Sequence, residues 1–474
     1  MSQAAPTITL TLRQPLEHRP GVSDWFATTQ TLFNAVAAFY WQVLDAHPAV
    51  RDLSATEALT TLERLTHATA DNPHPAMPLS AVAVQVPAYF RRAAIHTALG
   101  AMRAFQVNLA RWKRAKANAE AKGKPCRVRP PVPPRTWNRS VVFYAGMWKQ
   151  ATTGRITLKL WNGSVWRWLR FRVFGPPLPA AWERGSPQAV RHGEHWWLHV
   201  PIRRAVARPP KVATQLAGDP KALLCAIDLN INDALAVATV QRADGTVVAS
   251  RFFRGGDELH DCRKRLLGRI ARNRRLTGII AEGEHDNAAL WAKIRHLDED
   301  TTHRISRRIV DFAQAAGASI LVFEHLGHFR PERGTSSRRA NAKRSFWLRG
   351  RIFHYSRYKA WNAGIVTCRV NPKDTSRCCA RCGARVARYG AGEPRDGYRP
   401  GAPLVWCPAC RKETNADHNA SRTIGQRLVA RFLQTTQEEK PPTRLATGEA
   451  PKGAGVRASH AAAGFGSVNR HGTA

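Results

Sequence analysis

Four of the nine cysteines form two C-x-x-C pairs, Cys379-Ala-Arg-Cys382 and Cys407-Pro-Ala-Cys410. Each pair lets two thiolates grip one ion from a tight turn, and two such turns complete a tetrahedral shell. Sulfur fills all four positions and leaves none for a substrate, so the implied metal is structural zinc. Cys378 is a spare neighbour, because a register that used it would spoil the two-residue spacing. A redox C-x-x-C is the competing reading; the second pair and Gly383 argue against it. Cys126, Cys225, Cys262 and Cys368 are scattered and read as ordinary buried thiols. Nine unevenly spaced cysteines do not make a disulfide scaffold.

Three carboxylates give the second chemical signal. Asp228 ends an apolar run, Glu324 ends another, and Asp417 lies in NADHNAS just before the helical pattern of residues 423–432. Acids at strand ends beside a helix start can converge on divalent ions, and Mg²⁺ prefers a few carboxylates plus water and phosphate oxygens. Such ions activate water and stabilise the leaving oxygen in phosphodiester cleavage. Each acid alone is more simply a surface charge or a helix cap; the order and context of the three together favour a metal site. Asp233, Asp244 and Asp374 read as turn residues.

The elements that must position these groups follow from periodicity. Residues 7–13 alternate as a half-buried strand does, and helical three- and four-residue steps follow over 25–40, 56–66 and 81–112. A proline-rich basic linker spans 122–135, and short strand-like runs at 140–144, 155–161, 166–174 and 195–202 suggest a small β unit or barrel. A new unit begins near residue 221. It holds three hairpin-linked strands ending near Phe253, a basic helix over 263–275, a longer helix over 290–316 that stops at Gly317, and a buried strand delivering Glu324. That order describes a mixed sheet covered by helices. After Gln434 the chain turns polar and rich in Gly, Ala and Pro, the composition of a disordered tail.

Charge narrows the partner. The 474 residues carry 73 Lys+Arg and 34 Asp+Glu, a net charge of +39. Arginine, the residue suited to forked contacts with phosphate, outnumbers lysine. A polyanion is the leading partner, and an arginine-biased genome is the bland alternative. Residues 330–359 hold ten basic residues and one acid, interleaved with Phe346, Trp347, Phe353, Tyr355 and Tyr358. This is the pattern of a helix lining a nucleic-acid channel, with Arg338, Arg339, Lys343, Arg344, Arg349 and Arg351 as candidate contacts. A solvated helix with an aromatic core stripe is the alternative. No apolar run reaches the length of a membrane span, and the N-terminus lacks a signal-peptide pattern. These features imply a cytoplasmic protein without a membrane partner.

In chain order, AIDLNINDALAVATV, ILVFEHLGH, TSRCCARCG, WCPAC and NADHNAS resemble the TnpB proteins and compact type V CRISPR effector nucleases, as does HRISRRIVDF at 303–312. The similarity spans about residues 223–433. It implies a multidomain α/β protein with a RuvC-like, RNase H-type nuclease at 221–372 and 411–435. A zinc ribbon of the target-nucleic-acid-binding kind would be inserted at 373–410. Ahead of these would stand an oligonucleotide-binding wedge barrel, 1–13 and 125–220, split by a helical recognition lobe at 14–124. The tail would be 436–474. Asp228, Glu324 and Asp417 match the three catalytic, Mg²⁺-binding carboxylates, and Cys379, Cys382, Cys407 and Cys410 match the zinc ligands. Asn230 and Asn232 depart from the family pattern, which more often has glycine and a basic or polar residue there. The subgroup with an N-terminal zinc finger would need more early cysteines than Cys126 alone, so a monomer is favoured over the dimer of that subgroup.

The resulting expectation is an RNA-guided DNA endonuclease of the type V class, used in antiviral defence. Guide RNA would read target DNA by base pairing, and protein side chains would hold the heteroduplex and read a short adjacent motif. A transposon-encoded TnpB is the near alternative, separated by gene neighbourhood. A nuclease-silent RNA-guided binder and an RNA-independent zinc-ribbon DNA-binding protein are the alternatives from other classes. Metal-dependent cleavage tests the first, and specific binding without RNA tests the second.

Overall fold

A computed structural model describes residues 7–434, apart from residues 20, 71, 84, 127, 153, 220, 278–285, 329–343 and 345. The tail 436–474 and the candidate contacts Arg338, Arg339 and Lys343 lie outside the described residues.

The alternation that begins at Thr7 continues past Arg13, so strand β1 spans Thr7–Glu17. It pairs antiparallel with β8 (His195–Ala205) from Thr7 to Pro15, then crosses to β5 (Trp166–Val173) through Leu16 and Glu17. Three helices follow: α1 (Val22–Ala46), α2 (Ala55–Thr66) and α3 (Ala88–Glu120). The third starts later than residue 81, because Pro87 at its N-cap disfavours a helical residue before it. Phe33, Tyr40, Phe90 and Ile95 of α1 and α3 are fully buried against each other and against the sheet. The sheet is completed by β2 (Val141–Val142), β3 (Trp148–Thr152), β4 (Arg155–Trp161), β6 (Glu183–Arg184) and β7 (Gln188–His192). The strands run β2-β7-β8-β1-β5-β4-β3 with β6 on β8; among the described residues no pairing joins β3 back to β2, so the path is not closed.

After α4 (Val212–Gly218) a second sheet begins with β9 (Leu224–Leu229), β10 (Ala236–Gln241) and β11 (Val247–Phe253) as an antiparallel meander. Helices α5 (Gly256–Leu276) and α6 (Ala288–Ala315) lead to β12 (Ile320–Glu324), and α7 (Arg349–Asn362) leads to β13 (Val366–Val370). The last two strands lie parallel to β9, giving the order β11-β10-β9-β12-β13. This is the RNase H-type arrangement that the sequence resemblance implies. Every residue of β9 and β10 is buried, as expected of strands covered on both faces. Each fully buried Leu, Ile or Val contributes roughly 1.5–3 kcal/mol.

The two faces are separate cores. Cys225, Ile227, Leu321 and Phe323 pack with α6 and α7, whereas Leu224, Ala226, Ile320 and Val322 pack with α8 (Ala416–Gln434). Helix α8 lies close on the sheet. A Cβ at its Gly425 would sit 1.6 Å from Nε2 of buried Gln241, so a side chain there would have to displace the Gln241 amide. Between β13 and α8 stands a three-stranded ribbon of β14 (Ala387–Tyr389), β15 (Leu404–Cys407) and β16 (Lys412–Asn415). Among the four scattered cysteines only Cys225 is fully buried; Cys126, Cys262 and Cys368 are partly exposed, a correction to their reading as buried thiols.

Candidate active site and metal centre

Strand periodicity aims the first two acids. Asp228 shares its face of β9 with Leu224 and Ala226, and Glu324 shares its face of β12 with Ile320 and Val322. Phe323 is in register with Ile227, so the next step along both strands sets Glu324 beside Asp228. Both therefore point to the side that α8 covers. Asp417 lies in the first turn of α8 rather than before it, because Asn415 begins the helix. The Asn415 side-chain oxygen accepts from the backbone N–H groups of Asp417 (3.0 Å) and His418 (3.1 Å). All three acids line one cavity of about 1040 Å³, together with Asn230, Trp347, Thr375 and Arg388.

The electrostatics of the three are linked. Asp228 is 8% exposed, and burial, then the nearby charges of Glu324 and Asp417, hold its carboxyl well above the ordinary range. Burial also raises Glu324 and Asp417. Three contacts oppose this. Asn230 Nδ2 donates to Asp228 at 3.1 Å, the Thr375 hydroxyl donates to Glu324, and Arg388 pairs with Asp417 at 3.4 Å. A buried set of mutually repelling oxygen donors fits a hard divalent cation, which removes the repulsion and satisfies the oxygens.

The thiols form a tighter group. One sulfur from each of Cys379, Cys382, Cys407 and Cys410 lies within 4.8 Å of the others, the only such set of potential metal ligands among the described residues. The three carboxylates are spaced more widely. Backbone N–H groups of Arg381 and Cys410 donate to Cys379 and Cys407 sulfurs at 3.4 Å, and Gly383 takes the left-handed φ of 77° that closes the first turn. Neighbouring thiols, Cys382 first, push the Cys410 thiol up to about 12. Four crowded sulfurs on two knuckles fit one tetrahedral zinc. Cys378 is outside the group, and its carbonyl instead accepts from Asn419 Nδ2 at 2.7 Å.

Of the six candidate nucleic-acid contacts, three are described. Arg344 precedes α7, Arg349 donates to the Leu326 carbonyl at 3.1 Å, and Arg351 lies 3.9 Å from Asp298. None of the three lines the cavity. Sequence reasoning missed Thr375, Arg388 and Asn419. Thr375 stands inside the quoted TSRCCARCG segment and Asn419 inside NADHNAS, so both were within reach; Arg388 had no signal, being one arginine among many. Asn230 was visible only as a departure from the family pattern, and the departure places a donor on Asp228.

Residues 350–424 match the family described as Cas12f1-like, TNB domain, and residues 9–162 match the Aq_aa04 family. The TnpB-like protein aq_aa05 of Aquifex aeolicus is 26% identical over 271 residues, 55% of this chain and 83% of that protein. The CRISPR-associated endodeoxyribonuclease Cas12f1 of Sulfoacidibacillus thermotolerans is 34% identical over 132 residues, which is 28% of each chain. The solved Cas12f1 complex with single-guide RNA and target DNA aligns with a TM-score of 0.51 at 13% identity, covering 85% of this chain and 82% of that one, and so shares the fold. Among the described residues no helix is long and apolar enough to cross a membrane. The chain is similar to the TnpB proteins and the compact type V CRISPR effectors.

Proposed function

We propose that this chain is an RNA-guided DNA endonuclease of the compact type V class that hydrolyses phosphodiester bonds at Asp228, Glu324 and Asp417. The observation that carries the reading is the convergence of these acids, from two strand ends and a helix start, on one open cavity beside a four-cysteine ribbon. Mg²⁺ bound by the three carboxylates would supply the activated water and stabilise the leaving oxygen. The chain's own groups prepare that site. Asn230 and Thr375 each fix the rotamer of one acid, and Arg388 offsets the charge of the third while presenting a guanidinium at the cavity wall, where a phosphate must enter. Zinc on Cys379, Cys382, Cys407 and Cys410 would hold the ribbon as structure.

The partners are a guide RNA and a target DNA with a short adjacent motif. The net charge of +39 supports phosphate contacts, and no DNA-reading helix-turn-helix is needed if base pairing reads sequence. In this reading the units are a wedge (1–13 and 125–220), a helical recognition lobe (14–124), the nuclease (221–372 and 411–435) and the target-nucleic-acid-binding ribbon (373–410). Arg344, Arg349 and Arg351 would meet the nucleic-acid backbone. A transposon-encoded TnpB is the second reading, favoured by the match to 83% of a TnpB-like protein. Both readings share the same reaction. The test compares cleavage and target binding for wild type and for Asp228→Ala, Glu324→Ala and Asp417→Ala, with guide RNA and Mg²⁺. Each variant loses cleavage by about a thousandfold or more, some 4 kcal/mol of transition-state stabilisation, and keeps target binding. Tight binding without cleavage by the wild type would overturn the nuclease assignment in favour of a silent binder.

A further inference from the structure

Strands β7 and β8 form a hairpin closed by Gly193 and Glu194. Gly193 takes the left-handed φ of 62°, and its carbonyl accepts from Arg191 Nε at 2.9 Å. A turn of two residues fixes the register, with His192 directly opposite His195 and Gln188 opposite His199. Ala189, Trp196, Leu198 and Val200 are buried in the core, so strand alternation turns His192, His195, Trp197 and His199 to the outer face.

On that face two imidazoles converge. The rings of His192 and His199 lie 5.5 Å apart between centres, beside Trp197, and their Nε2 atoms are 3.4 Å apart. That separation is long for a hydrogen bond from a ring N–H, which prefers about 2.7–3.2 Å. It matches the spacing of two nitrogens on one tetrahedral zinc: bonds of about 2.0–2.1 Å at the tetrahedral angle set them about 3.3–3.4 Å apart. Burial, then the charge of Arg13 opposite His199, hold both imidazoles below the ordinary histidine range, so both are neutral ligands at neutral pH. Two neutral rings that face each other through Nε2 can offer both lone pairs to one cation.

We propose that His192 and His199 bind a borderline divalent transition-metal ion, of the Zn²⁺ class, through both Nε2 atoms, with water completing the shell. Imidazole suits such ions, whereas Mg²⁺ prefers oxygen and does not compete. The site is separate from the two already described. Neither histidine lines the cavity that holds the acids or belongs to the four-cysteine group, and among the described residues no third such ligand joins the pair within 4.8 Å. The ion joins β7 to β8 across the hairpin. Strand β8 also pairs with β1, and its Arg204 donates to Asn362 of α7. A clip on β8 therefore steadies the strand by which the first sheet touches the second unit. The proposal does not depend on the nuclease reading.

The test dialyses the full-length, zinc-loaded chain against a Zn²⁺ series, with excess Mg²⁺ present to occupy the carboxylates. The wild type takes up a further zinc beyond the one held by the cysteines. His192→Ala and His199→Ala each weaken that further site by about tenfold or more, at least what the loss of a supporting group costs a metal site, while His195→Ala, on the same face but outside the pair, changes it by less than about twofold. His199→Gln, of similar size, repeats the loss. Added Zn²⁺ raises the melting temperature of the zinc-loaded wild type but not that of His192→Ala combined with His199→Ala. A wild type that takes up no further zinc overturns the proposal. So does a further zinc that survives both substitutions, an equal loss in His195→Ala, or displacement of the further zinc by Mg²⁺.

Discussion

Asp228→Asn should make the cation-free protein more stable while it destroys cleavage. The residue is 8% exposed and faces two other carboxylates across the same cavity. Asparagine keeps the shape and an oxygen that can accept from Asn230, 3.1 Å from the present carboxylate, so little packing is lost. What disappears is a buried charge. At an effective dielectric of about 20, two unit charges some 6–8 Å apart repel by roughly 2–3 kcal/mol. Glu324 and Asp417 both repel the Asp228 charge, but partial protonation and the Arg388 guanidinium reduce the sum. A net gain of about 1–3 kcal/mol remains, or roughly 3–10 °C in the melting temperature of a unit this size.

The pH dependence has a definite sign. A carboxyl whose folded pKa is raised binds more protons folded than unfolded, so stability falls as pH rises from the ordinary carboxylate range through the raised value. Burial raises all three acids, and the charges of Glu324 and Asp417 raise Asp228 further. In chelator, the wild type should therefore gain stability as pH is lowered from neutral towards the ordinary carboxylate range, and Asp228→Asn should gain less. Mg²⁺ should reverse the ranking, since a ligand that binds only the folded state stabilises it by mass action and the variant binds it more weakly. The assay is thermal unfolding of both proteins in chelator and across a Mg²⁺ titration, at two pH values. A lower melting temperature for Asp228→Asn in chelator at neutral pH, or equal Mg²⁺ responses, would refute the electrostatic account of the site.

Three further outcomes are expected. Cys407→Ala should lose bound zinc, where a structural site in a small peptide contributes about 10–16 kcal/mol, while Cys378→Ala should retain it; metal analysis of both variants decides the register. Thr375→Val should raise the Mg²⁺ concentration needed for half-maximal cleavage several-fold, because it frees the Glu324 carboxylate, and Thr375→Ser should restore it; equal Mg²⁺ curves for all three proteins would remove the hydroxyl from the site. Asn419→Ala should destabilise by about 2–4 kcal/mol, because it strands the buried Ala380 N–H and Cys378 carbonyl, and should speed zinc loss to a chelator; an unchanged rate would show that the knuckle holds without the helix.

The parts of the site that were legible in the sequence are those fixed by local pattern. C-x-x-C spacing places two sulfurs on one turn whatever surrounds it, and an apolar run ending in an acid places that acid at a strand end. The face to which Asp228 and Glu324 turn was not legible, because it depends on the parallel register of β9 and β12, which are some ninety residues apart in the chain. Arg388 was illegible for the same reason. Its partner Asp417 is 29 residues away, and nothing local distinguishes it from its neighbours. The late start of α3 was missed because helical periodicity reads through residues 81–87, where Pro87 and a single 3₁₀ turn at Leu79–Ala81 break it. Strand β1 runs past the 7–13 alternation to Glu17, with Pro15 tolerated where the strand passes from one partner to the other.

The position of the ribbon in the chain has a physical consequence. It separates Glu324 from Asp417 in sequence, so its fold decides where α8 begins relative to the sheet. The structure joins the two at four places. Thr375 at the ribbon's entrance holds Glu324, Arg388 on β14 holds Asp417, and Asn419 of α8 accepts from Ala380 N–H at 2.9 Å and donates to the Cys378 carbonyl beside the first knuckle. Two of these contacts touch the proposed catalytic acids directly, and the other two anchor the helix that carries the third acid two residues from its carboxylate. A ribbon unfolded by loss of zinc would release all four at once. The sulfurs contribute no group to the cavity and would act on Glu324 and Asp417 through these contacts alone, while the register of β9 and β12 keeps Asp228 beside Glu324.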